Sequence, residues 1–208
     1  MRTLTKELRD KLTPKEAIEV LKAGNERFVN NLKAHRNLLE QVNETSDAQF
    51  PFAAILSCMD SRTSAELIFD QGLGDIFSLR IAGNILNDDI LGSLEFATKI
   101  TGSKVIVVLG HTKCGAVTAA CDNVKLGNLT SLLDKIKPVI ESETETKSER
   151  DGKNTSFVFN VTKLNVKMTM DMIKEQSSII SGLLRSRKIG LVGGIYDVDT
   201  GKVDFFGK

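Results

Sequence analysis

Three side chains in this sequence combine an affinity for soft-to-borderline metal ions with positions at the ends of apolar runs: Cys58, His111 and Cys114. Cys58 follows the uncharged run Phe52–Ser57, and His111 follows Val105–Leu109, a nearly all-β-branched stretch. Both runs read as strands buried on two faces, and parallel neighbours bring their carboxyl ends to the same edge of a sheet. Cys114 opens the next helix, where the helix dipole favours a thiolate. Two sulfurs and an imidazole suit zinc, and three protein ligands leave a fourth position open, as in catalytic rather than structural sites. The other candidates fall outside this set. Cys121 lies two helical turns beyond Cys114 and is expected in the core, while His35, among Lys33, Arg36 and Asn37, is expected at the surface.

Immediately after the first cysteine, Cys58-Met59-Asp60-Ser61-Arg62 places a carboxylate and a guanidinium on the turn leaving the strand. An arginine beside an aspartate keeps it ionised and can hold it by two parallel hydrogen bonds. A phosphate-cradling cysteine loop is excluded, because it needs a longer spacing between Cys and Arg and because Asp60 would repel a phosphate.

The elements that must position these groups are legible in outline. Thr13-Pro14-Lys15-Glu16 carries an N-cap, a proline at the first helical position and a capping-box glutamate, predicting a helix through Leu21, Phe28 and Leu32. Beyond the strand at 52–57 come a helix near 64–69, a strand at 76–79, a helix over 88–100 stopped by Gly102, and the strand at 105–109. A helix near 164–184 precedes a strand at 189–196, and Asp199-Thr200-Gly201 turns into a closing antiparallel segment at 203–206. The charged stretch 141–154 reads as a solvated loop or frayed helix end. The pattern predicts an α/β fold in a single domain over 1–208: a mostly parallel sheet with crossover helices and one closing antiparallel strand in a core at 49–208, preceded by an N-terminal helical arm at 1–48.

Composition narrows the function. With 28 basic and 27 acidic residues among 208, there is no charge footprint for nucleic acid or an anionic membrane surface. No apolar run approaches the roughly 20 residues of a membrane span, and the charged start has no signal-like stretch. Three cysteines make no disulfide framework, so a cytoplasmic protein acting on a small molecule is expected.

Three strings, Cys58-Met59-Asp60-Ser61-Arg62, Arg80-Ile81-Ala82-Gly83-Asn84 and Gly110-His111-Thr112-Lys113-Cys114-Gly115, together resemble the β-class carbonic anhydrases in order and separation. The match is specific from about Gln49 to Val117, and more loosely takes in the capped N-terminal helix and Val192-Gly193-Gly194-Ile195-Tyr196-Asp197. The resemblance implies a lyase that hydrates carbon dioxide to bicarbonate and a proton, with zinc on Cys58, His111 and Cys114 and an orienting dyad of Asp60 and Arg62. It further implies that Gln49 hydrogen-bonds substrate from across a dimer interface, as in the plant-type branch, that Phe77 and Phe96 wall an apolar pocket, and that the Gly115 N–H donates to a bound carboxylate-like ligand.

On this reading zinc makes hydroxide available from water near neutral pH to attack carbon dioxide. Two thiolates weaken that acidification, so a hydrogen-bond acceptor at Asp60, fixed by Arg62, is needed. A homodimer or homotetramer is expected, since Gln49 serves the site only if a partner presents it. A zinc hydrolase of carbon disulfide or carbonyl sulfide would use the same residues, whereas a non-catalytic zinc protein would have no use for the dyad. One branch of the family binds a second, regulatory bicarbonate through a tryptophan, an arginine and a tyrosine. Here Ile55 falls at the tryptophan position and Arg80 at the arginine, and the chain has no tryptophan.

Overall fold

The computed structural model of the chain describes residues 3–207. Five strands form one sheet: β1 (Ala53–Ser57), β2 (Ile76–Arg80), β3 (Val105–His111), β4 (Gly190–Tyr196) and β5 (Val203–Phe206). Their order is β2-β1-β3-β4-β5, parallel except for the β4–β5 pair, which Gly201 closes with φ +77°. The expected mostly parallel α/β fold with an antiparallel closing strand is therefore present.

The uncharged runs become central strands because each face of the sheet meets a helical layer. In β1 and β3, Ala54, Leu56, Ile106 and Val108 face α5 (Asp88–Glu95), α9 (Thr155–Gln176) and α10 (Ser178–Arg185) through Leu94, Val166, Ile173 and Ile180. The alternate residues Ala53, Ile55, Val105 and Val107 face α2 (Pro14–Val29) and α4 (Ala65–Ile68) through Ala17, Leu21 and Ile68. The period of two that separates these layers also fixes which face each strand end presents.

The N-terminal arm contains three helices: α1 (Lys6–Lys11), α2 and α3 (Leu38–Glu44). The Thr13–Glu16 capping box is formed in both directions. Asn25 stitches α2 to the core, donating to the carbonyls of Ile68 and Gly201 and accepting from the Val203 N–H. Gly24 lets α2 sit directly on the carbonyl of Phe69, which a Cβ would strike at 1.8 Å. Asp70, buried, takes the guanidinium groups of Arg27 and Arg36, tying the arm to the loop after α4.

Three expectations are corrected. The helix expected over 164–184 is two helices: α9 begins earlier, capped by Asn154, and ends at Ser177, whose hydroxyl caps α10 and donates to Glu95 at 2.6 Å. The helix at 88–100 is α-helical only to Glu95 and then widens to a π turn at Phe96–Ile100. The charged stretch 141–154 has no regular structure beyond the end of α8 (Lys137–Ser142), but it is not merely solvated: Glu143 is buried and paired with Arg150, which stacks over Phe157 at 4.7 Å.

Candidate active site

Cys58 is the first residue after β1, His111 is the last of β3, and β1 and β3 are adjacent in the sheet. Cys114 is the N-cap of α6 (Gly115–Cys121), which folds back over the same edge. Apolar packing against Val117, Ile136 and Phe157 buries both cysteines, drawing on α6, α7 (Gly127–Leu133), α8 and α9. The two sulfurs lie 3.9 Å apart, and all three ligand atoms lie within 4.8 Å of one another.

His111 is aimed by its neighbour. Its Nδ1 lies 2.9 Å from the carbonyl oxygen of Thr112, which can only accept, so the proton sits on Nδ1 and the Nε2 lone pair faces the sulfurs. That Nε2 is buried and has no hydrogen-bond partner. A polar atom orphaned between two thiols is costly unless a cation completes the group, so the donor set fits a metal ion of the zinc type. Between the thiols themselves, the hydrogen bond from Cys114 lowers Cys58 against the effect of burial, with His111 and the N–H groups of Asp60 and Gly83 contributing. The same contact, together with burial, pushes Cys114 up. The two thiols are thus electrostatically coupled through their contact, and binding a cation would require both to give up their protons.

Asp60 stands on the turn after Cys58. The Arg62 guanidinium donates from Nε to Oδ1 at 2.9 Å and from Nη2 to Oδ2 at 2.8 Å, and the Arg62 N–H adds a third bond to Oδ1 at 3.0 Å. These bonds, led by the guanidinium, hold the Asp60 carboxyl well below the usual carboxylate range. Arg62 Nη2 also lies 3.5 Å from the carbonyl of Lys113, spanning from the Cys58 loop to the His111–Cys114 loop.

The residues expected at the site divide into two groups. Cys58, His111, Cys114, Asp60, Arg62 and Gly115, the first residue of α6, share the carboxyl edge. Gln49 is exposed on the approach to β1, beside Gly74 at the amino edge of the sheet. Phe77 and Phe96 meet each other edge to face at 6.4 Å, but in a surface cleft of about 530 Å³ against the edge strand β2, whose lining includes none of Cys58, His111 and Cys114. Cys121 is half-buried rather than buried, and burial pushes its thiol up to about 11. His35 is exposed.

Several supporting groups went unread in the sequence. The Gly83 N–H points at Cys58 Sγ at 3.4 Å, and buried Asn165 on α9 fixes the Gly83 carbonyl at 2.8 Å. Thr63 donates its hydroxyl to the carbonyls of Cys58 and Asp60. The one available signal was Asn165, a polar residue at a core-facing position of an amphipathic helix.

The comparisons agree with this geometry. Residues 53–203 match the family Carbonic anhydrase. Carbonic anhydrase 2 of Mycobacterium tuberculosis is 36% identical over 192 residues, 91% of each chain, and the carbonic anhydrase of Mycolicibacterium smegmatis is 33% identical over 92% of each. Among solved structures, the β-carbonic anhydrase CafA of Aspergillus fumigatus superposes with a TM-score of 0.70 over 81% of both chains at 29% identity. One of the two tetrameric β-carbonic anhydrases of Sordaria macrospora shares the fold, with a TM-score of 0.71 at 21% identity over 93% of this chain and 98% of that one. The chain belongs to the β-class carbonic anhydrase family. Its activity is the reversible hydration of carbon dioxide to bicarbonate and a proton.

Proposed function

We propose that Cys58, His111 and Cys114 hold zinc and that Asp60, oriented by Arg62, is the polar group working beside it. The observation that carries this is the buried Nε2 of His111, without a partner and facing two sulfurs. Zinc held there would supply a nucleophile by lowering the pKa of water toward neutrality.

The rest of the work falls to the chain. Thr112 holds the proton of His111 on Nδ1, which keeps Nε2 a ligand. Asp60 stays ionised and acts only as an acceptor, selecting an O–H that points toward it and leaving a lone pair aimed at the carbon of the substrate. Arg62 keeps that acceptor from rotating. The Gly115 N–H, at the start of α6, is the donor for the carboxylate-like product.

Gln49 completes the substrate pocket in this reading only when a second copy presents it, because it lies at the opposite edge of its own sheet, and Phe77 and Phe96 supply the apolar wall. A homodimer or homotetramer follows, supported by Leu32, Leu38, Leu39 and Val42, which the arm leaves exposed. We place the protein in the cytoplasm as one unit of arm and core. Its three cysteines are free thiols, and no helix among the described residues is long and apolar enough to cross a membrane. Metal analysis and stopped-flow hydration on the same sample test the reading. About one zinc per chain with hydration activity is expected, and a zinc-replete protein inactive across pH 6–9 overturns it.

A further inference from the structure

The pairing of β1 with β2 ends at Ser57 opposite Arg80, so the carbonyls of the next three residues have no strand on that side to satisfy them. The Arg80 side chain continues the edge. Its Nε donates to the carbonyl of Cys58 at 3.2 Å, and its Nη2 donates to the carbonyls of Met59 at 3.1 Å and Asp60 at 2.5 Å. One rigid guanidinium plane therefore grips three consecutive carbonyls, the first belonging to a metal-binding cysteine and the third to the dyad carboxylate. Thr63 reinforces the outer two through its hydroxyl, but Met59 is held by Arg80.

We infer that Arg80 is a positioning residue: it fixes the backbone that sets the Cys58 thiolate and the Asp60 carboxylate relative to each other. The inference rests on the zinc reading of the site. Arg62 orients the Asp60 carboxylate, but its grip bears on the side chain and cannot hold the main chain between residues 58 and 60. Arg80 supplies that restraint from a different strand, and because it is solvent-exposed it does so without a role in the core. The same geometry redefines the arginine that sequence resemblance aligns with a regulatory bicarbonate pocket. Nε–H and both Nη2 hydrogens are committed, so neither two-pronged edge of the guanidinium is complete for an incoming anion.

The test uses zinc-loaded Arg80→Gln and Arg80→Lys beside the wild type, with Asn25→Ala as a destabilised control remote from the site. Zinc transfer to a chromogenic chelator, the pH profile of hydration and Tm are measured for each. Arg80→Gln is expected to give up zinc about tenfold faster and to lose about 10- to 100-fold in kcat, the usual effect of removing an outer partner of a metal site. Arg80→Lys should fall between, since an ammonium is a point donor that cannot span three carbonyls. It also carries the test if the glutamine variant does not fold. Asn25→Ala should lower Tm while leaving zinc transfer and kcat within about twofold of wild type. Arg80 variants with wild-type zinc transfer, or an Asn25→Ala protein that loses zinc as fast as they do, overturn the inference. Wild-type protein without zinc overturns the reading of the site and this inference with it, whereas zinc-replete wild type with unaltered Arg80 variants overturns this inference alone.

Discussion

The guanidinium of Arg62 meets the carboxylate of Asp60 as two parallel hydrogen bonds, 2.9 and 2.8 Å long, with neither group hydrogen-bonded to the side chain of Cys58, His111 or Cys114. Orientation and metal binding are therefore separable. Arg62→Ala is expected to retain about one zinc per chain and to lose about 10- to 100-fold in kcat. Hydration at the wild-type rate would remove the pair from the mechanism.

Removing a ligand has the opposite signature. With three donors there is no redundancy, so Cys114→Ser should lose most of its zinc, and activity with it. Full zinc retention in the purified variant would defeat the ligand assignment.

Gln49 and Cys58 lie at opposite edges of one sheet, so the proposed role of Gln49 in the substrate pocket requires assembly. Light scattering at micromolar concentration should give a dimer or tetramer, and Gln49→Ala should lower kcat/KM without altering zinc content. A fully active monomer would defeat this.

Acid should unfold the protein through two buried carboxylates. Burial pushes Asp70 and Glu143 up, but hydrogen bonds outweigh it: Arg27, Arg36 and the Ala34 N–H for Asp70, and Thr146 and Arg150 for Glu143. Both end below their ordinary values. A depressed carboxylate adds stability that is complete above its unfolded pKa, about 4, and is lost as pH falls toward the folded one. Tm should accordingly drop between about pH 5 and 3. Asp70→Asn and Glu143→Gln should each lower Tm at pH 7 and flatten that drop, and variant curves running parallel to wild type would refute the assignment.

Bicarbonate should inhibit without cooperativity. Ile55, which falls where a tryptophan would wall the regulatory pocket, is fully buried in β1, and Arg80 is committed to main-chain carbonyls. A bicarbonate titration of the hydration rate at fixed pH and ionic strength should be hyperbolic. A Hill coefficient clearly above one would overturn this.

The features legible in the sequence are those written in local pattern. Uncharged runs mark β1 and β3, the residue types at their ends mark the convergence of Cys58, His111 and Cys114, and Thr13 with Glu16 marks the start of α2. What escaped depends on partners distant in sequence. Glu143 reads as one more charge in a polar stretch until Arg150 and Asn160 close over it, and Ser177 divides a continuous helical pattern because its hydroxyl finds Glu95. Arg80 was visible as a residue but not as a clamp, since its three acceptors are main-chain atoms that no side-chain pattern encodes.

The register of β1 against β3, with Ala53 opposite Val105 and Ser57 opposite Leu109, decides whether Cys58 and His111 meet at all. A slip of one residue would carry Cys58 roughly 3.3 Å along the strand and invert the face it presents. A mispaired sheet would not bring Cys58, His111 and Cys114 together, so on the proposed zinc reading the ion would bind, and stabilise, only the correctly aligned sheet.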